Sequence, residues 1–239
     1  MIIKEIIKKI INSFGYGIVE LPKTGNKNIA ELYQSNSLRL LHNYKNIQPL
    51  KLHFGCGFRI LKGWVNIDLT FKPHEEDMPG ITDKYYPEAI RGDKSEFYAI
   101  DITKIGLPMP ANSVDVIFHE DFIEHLNQRD QIIFFAETFR VLKPGGVHRV
   151  NTPNFITSMR EHSHFEKGAS GVYIDEWDMW EHLNLLTPGL LKEIAELIGY
   201  SDIKFNGRDK SISSEIPLEL RPGNDRPTND GNIFADLIK

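Results

Sequence analysis

The 239-residue chain holds a single cysteine, Cys56. No internal disulfide can form, and a reducing, cytoplasmic setting is the natural expectation. There is no surplus of positive charge. The 28 Lys and Arg residues face 33 Asp and Glu, for a formal net charge of −5. Binding to a phosphate backbone draws on a cationic excess, so no nucleic-acid partner is expected. No segment approaches the ~18–20 continuous apolar residues of a membrane span, and there is no internal repeat. With 41% hydrophobic and 26% charged residues, disorder and coiled coil are excluded as whole-chain descriptions. The length fits one elaborated domain better than two.

What is present falls into two parts. Residues 1–48 form an expected helical extension and 49–239 the main domain. In Met1–Phe14, lysines interrupt any apolar core of a secretion signal and no small-residue cleavage site follows. The stretch reads as an amphipathic helix. Ile2, Ile3, Ile6, Ile7, Ile10, Ile11 and Phe14 share one face, available for packing, self-association or peripheral membrane contact. A second helix is expected over 28–44.

From Leu50 the pattern alternates strand and helix. Strands are expected at 50–54, 64–68, 97–101, 114–119, 146–151, 202–205 and 233–238. A helix over 128–142 should stop at Lys143-Pro-Gly-Gly146, and another should open at the Thr187 cap and close at Gly199. This order argues an α/β fold, a doubly wound, mostly parallel seven-stranded Rossmann-like sheet. Two insertions, 71–96 and 153–186, break the alternation. Insertions of this length are commonly functional. The second carries Phe155, Phe165, Tyr173, Trp177 and Trp180 with His162, His164 and His182, suiting either a flat-ring or sugar pocket or a small subdomain core. The run 207–232, rich in Pro, Gly, Asn and Asp, reads as a surface hairpin loop.

Ligands of such sheets bind outside the carboxyl ends of the strands. Four ends carry informative residues: Gly55-Cys-Gly57, Asp68, Asp101-Ile102 and His119-Glu120-Asp121. A dinucleotide fingerprint would need a third glycine where Ile60 stands, and an acidic residue about 20 positions on; Asp68 follows Gly57 by only eleven. Residues 58–63 allow barely a turn of helix to hold a pyrophosphate. An adenosyl ligand without phosphate would not miss it.

Four pieces in order then resemble class I S-adenosylmethionine-dependent methyltransferases, type 11-like. They are Leu52–Gly57, Gly63–Asp68, Leu107–Leu126 and Phe139–Gly146, within about residues 50–206. The short first helix is similar to a subgroup of polysaccharide-biosynthesis methyltransferases. The resemblance implies S-adenosyl-L-methionine as cofactor. Gly55, Cys56 and Gly57 would line its methionine end, Asp68 would hold the ribose hydroxyls, and Asp101 and Ile102 would meet the adenine. His119 and Glu120 would sit beneath the methionine arm. The family's acidic residue is replaced by His53, and a third glycine is absent near Arg59.

Methyl transfer from a sulfonium needs positioning above all, and a hydroxyl acceptor also needs a base. His125 and His182 are the candidates, ahead of His119. Asp121, Glu124 and His125 would share a helical face and offer ligand types suited to magnesium or zinc. Glu124 bonding backbone or a neighbouring arginine is the simpler reading, so no metal is expected. The acceptor expected is a small molecule or saccharide, with O-methylation of a sugar or surface-glycan precursor preferred. Methylation of another small metabolite, or a non-catalytic adenosyl-binding module, are the alternatives.

Overall fold

The computed structural model describes residues 27–74, 84–162, 175–221 and 231–239. The leader helix expected at 1–14 lies outside these residues, as do Phe165, Tyr173 and Arg226.

Buried apolar residues such as Leu52, Phe54, Ile117 and Val150 make the centre of the sheet. Strands β1 (Lys51–Phe54), β2 (Val65–Asp68), β3 (Phe97–Ala99), β4 (Val114–Glu120), β5 (Leu142–Pro153), β6 (Asp202–Phe205) and β7 (Asn232–Ile238) form one sheet in the order β3-β2-β1-β4-β5-β7-β6. The first five strands run parallel, and β7 runs antiparallel to both β5 and β6. This is the doubly wound, mostly parallel Rossmann-like arrangement expected from the sequence. The strand order reverses between β1 and β4, where their carboxyl ends open a crevice.

The long described helices all contribute to one main core. The helix Gln128–Val141 buries Phe134, Phe135 and Val141 in the main core with Leu52, Ile117 and Val150. Asn127 caps it by accepting from the Asp130 amide. The helix Pro188–Ile198 starts at the Thr187 cap, which accepts from Leu190 N–H at 3.1 Å, and stops at Gly199 with φ +116°. The helix Lys27–Asn43 packs on β3. Leu40 enters the main core, and Arg39 donates to the Phe97 and Ser95 carbonyls while lying over the Tyr98 ring.

Three expectations need correction. The Lys143–Gly146 run does not separate helix from strand, because the chain is extended from Leu142 onward and Leu142 already pairs with Val114. Residues 58–63 form turns without a helix. The stretch 207–221 is a surface loop only in part, since Glu219 is fully buried and Leu220 nearly so. The cause is Arg149, placed by β5 in the interior and fully shielded from water. Its guanidinium donates to both Glu219 oxygens (2.9 and 2.7 Å), to Asn206 and to the Gly207 carbonyl. An unpaired charge at that depth would cost several kcal/mol, so the chain supplies a counter-charge by folding 206–219 over the sheet.

Candidate functional site

The strand tips build the site. At the end of β1, Gly55 and Gly57 take φ +59° and +53°. A Cβ on Gly55 would lie 2.6 Å from the Phe122 ring, so only glycine allows this close approach. The turn donates Gly57 N–H to Asp68 Oδ2 at 2.9 Å, and Leu69 N–H bonds Oδ1 at 2.6 Å. The Asp68 carboxylate at the tip of β2 is therefore fixed in orientation, with acceptor capacity left on both oxygens.

Asp68 stands between two adjoining cavities. The larger, of about 480 Å³, is lined by Gly55, Cys56, Gly57, Asp68, Glu120 and His125, together with His53, Arg59, Lys72 and Arg221. The smaller, of about 190 Å³, is lined by Asp68, Ile100, Asp101, Ile102, Thr103 and Asp130, with Phe54 and Ile67 behind. Asp68, Leu69, Phe122 and Leu126 line both. Asp101 caps a short helix, accepting from Thr103 N–H (3.1 Å) and its hydroxyl (2.8 Å). The two aspartates thus follow one another along a continuous crevice that would admit a long ligand with a diol near its middle.

His119 stands elsewhere. It is fully buried beneath the crevice, against Phe122, Phe134 and His148, and both ring nitrogens lack a partner. Along β4 the side chains alternate, so Glu120 faces the cavity while His119 turns into the core. Burial, and then the neighbouring His148 and His53, hold its pKa well below the ordinary histidine value. The adjacent Glu120 pairs with the buried Arg59 and accepts the Arg221 N–H at 3.0 Å.

His125 lines the larger cavity, and His182 packs edge-on against it, with ring centroids 4.9 Å apart. The short turn Ile123–His125 is clamped to the second insertion by the Glu124 carbonyl, which accepts Leu183 N–H (2.7 Å) and Asn184 N–H (3.1 Å). Two residues far apart in sequence are thereby brought together. Burial, and then His182, lower the His125 pKa. The Cys56 thiol is buried, and burial followed by Asp68 pushes its pKa well up, the signature of an unreactive thiol.

Two site residues carry no signal that strand and loop patterning detects. Arg59 is 2% exposed and ties Glu120 to the Tyr85 and Leu218 carbonyls, holding the cavity wall. Tyr33, from the helix Lys27–Asn43, packs beside Cys56 and Phe71. Burial raises its pKa, and the fields of Asp101 and Asp68 add to the effect, so the phenol lies near both carboxylates. The helical period marks Tyr33 only as inward-facing.

Comparison with known proteins adds a local match and a set of distant ones. A family model described as a methyltransferase domain matches residues 77–150. A Mycolicibacterium smegmatis protein named "Probable S-adenosylmethionine-dependent methyltransferase" is 57% identical over 51 residues, which is 21% of this chain. The chain spans about a fifth (19%) of that relative's length. An S-adenosylmethionine-dependent methyltransferase structure from Archaeoglobus fulgidus is 15% identical, with 87% of this chain and 94% of that one covered and a TM-score of 0.49. One from Mesorhizobium loti is 16% identical, with 84% and 97% covered and a TM-score of 0.44. Over the segment that carries Asp101, Glu120 and His125, the chain is similar to the methyltransferase-domain family.

Proposed function

We propose that the chain is an S-adenosylmethionine-dependent methyltransferase that methylates a hydroxyl of a sugar or surface-glycan precursor. The observation that carries the reading is Asp68, held by two backbone N–H groups between two adjoining cavities at the tip of β2, one strand from the reversal of strand order. The residues fit the cofactor. Asp68 would accept both ribose hydroxyls, Asp101 and Ile102 would meet the adenine, and the Gly55–Gly57 turn would admit the methionine arm where a Cβ has no room. The local identity to the mycolicibacterial protein, and the family match over 77–150, support the same reading.

When bound, the cofactor would supply an activated methyl group for in-line displacement by the acceptor oxygen. The chain's own residues orient the partners and exclude water. Phe122 and Leu126 form an apolar wall common to both cavities. Arg59 neutralises Glu120, so the wall beside the incoming cation carries no competing free positive charge at that point. The acceptor's proton departs on the His125 and His182 side. Lys72 and Arg221 line the larger cavity and suit the diphosphate of a nucleotide sugar.

The test is incubation of the full chain with methyl-labelled cofactor and a panel of nucleotide sugars, with other small metabolites and oligonucleotides in parallel. Label is expected on a sugar hydroxyl. Label only on non-glycan metabolites would overturn the acceptor class, and tight NAD binding without binding of S-adenosylhomocysteine would overturn the cofactor.

A further inference from the structure

Beside the crevice, one buried carboxylate and two imidazoles converge. A carboxylate oxygen of Glu124 and one ring nitrogen each of His125 and His182 all lie within 4.8 Å of one another. Glu124 is fully buried. Its Oε2 accepts from the Thr152 hydroxyl at 2.9 Å, but its Oε1 has no partner. A buried carboxylate oxygen with nothing to bond is costly. Something that binds oxygen would relieve it.

The histidines are already oriented as ligands are. His182 donates Nδ1 to the buried Glu176 carboxylate at 2.5 Å, leaving Nε2 for another partner. The Glu181 backbone stands beside the His125 ring. Imidazole tied on one side by a carboxylate or carbonyl is the usual outer-shell arrangement of a metal-binding histidine. Asp121 is not part of the trio, because its Oδ1 accepts from Asn232 (3.1 Å) and its Oδ2 pairs with Arg221 (3.6 Å). The three groups come from the Ile123–His125 turn and the second insertion. The Glu124 carbonyl, bonding Leu183 and Asn184, already locks these two segments together.

We infer that Glu124, His125 and His182 form a binding site for a divalent transition-metal ion of the zinc class. Two imidazoles and one carboxylate suit such an ion better than magnesium, which prefers all-oxygen shells. His125 also lines the larger cavity, so an open coordination position would face the acceptor. The site itself stands on this geometry, and only its role rests on the methyl-transfer reading. An ion there would draw the acceptor oxygen and let its proton leave to water in the cavity, with the histidines serving as ligands.

The experiment uses tag-free full chain stripped with chelator and titrated with zinc chloride against a chromogenic chelator. Bound metal is counted by mass spectrometry, and cobalt substitution is read by visible absorption. One zinc per chain is expected. Glu124→Gln and, independently, His182→Gln are expected to weaken binding about 100-fold or more and to abolish the cobalt bands, with circular dichroism unchanged. The near-isosteric pair keeps the test valid if one variant folds poorly. Substoichiometric zinc in the wild type, or equal uptake by both folded variants, overturns the site. S-adenosylhomocysteine binding is measured on the same samples. Zinc without that ligand leaves the ion site standing and removes the methyl-transfer reading, whereas that ligand without zinc does the reverse.

Discussion

Asp68→Asn is expected to weaken binding of S-adenosylhomocysteine about 100-fold or more while leaving the chain folded. The carboxylate accepts Gly57 N–H and Leu69 N–H, one on each oxygen, and keeps a free lone-pair site on both. A diol would use those two sites. Hydrogen bonds to a charged group contribute about 1.5–3 kcal/mol each, so the loss of most of that interaction corresponds to roughly two decades in affinity. Asparagine keeps the shape but turns one acceptor into a donor facing an N–H group, which removes the charge and misorients what remains. Asp68 is only partly buried, so the fold should tolerate the change. Titration calorimetry, with a thermal melt as control, reads the result. An affinity within threefold of wild type would remove Asp68 from the site.

The second large effect is pH-dependent stability through His119. Its imidazole is neutral in the fold because burial holds its pKa well below 6.5, whereas in the unfolded chain it titrates near ~6.5. Stability is therefore complete above ~6.5 and is lost as pH falls, since the unfolded state takes up the proton first. The loss is about 1.4 kcal/mol per pH unit for one such group. His53 and His148, both lowered to about 3 by burial, act in the same direction, with Arg59 adding to the effect at His53. Glu124 and Glu219, whose carboxyls burial raises, act in the opposite direction. The net profile thus mixes signs, but a single replacement isolates one contribution. His119→Leu should be at least as stable as wild type at pH 8, because two unpartnered nitrogens are gone. Its advantage should grow by roughly 2 kcal/mol between pH 6.5 and 4.5, read from urea midpoints at each pH. A difference that does not change with pH would contradict the buried neutral state.

The strands and their order of appearance are legible in the sequence as short apolar runs between turn and acidic residues, and one helix announces itself at the Thr187 cap. Gly55, Gly57, Asp68 and Asp101 are legible for a related reason. They stand at strand ends, and strand ends of a parallel sheet converge. Alternation along β4 separates Glu120 from His119, yet a one-residue choice of register decides which of them faces the ligand, and both are polar. Arg149 hides its consequence entirely. Nothing in 206–221 identifies Glu219 as the counter-charge of a residue 70 positions earlier, so the Gly, Pro and Asn content of the run reads as solvent exposure. Tyr33 and Arg59 reach the crevice through tertiary packing alone. The meeting of His182 with His125 depends on the Glu124 carbonyl clamp, a backbone contact that no side-chain pattern encodes.

The most direct measurement is a crystal structure of the chain grown with S-adenosylhomocysteine. The account predicts the ribose hydroxyls on Asp68, the adenine between Asp101 and Ile102, and the sulfur against the Gly55–Gly57 turn. A nucleoside bound away from both carboxylates, or density at neither cavity under saturating ligand, would contradict it.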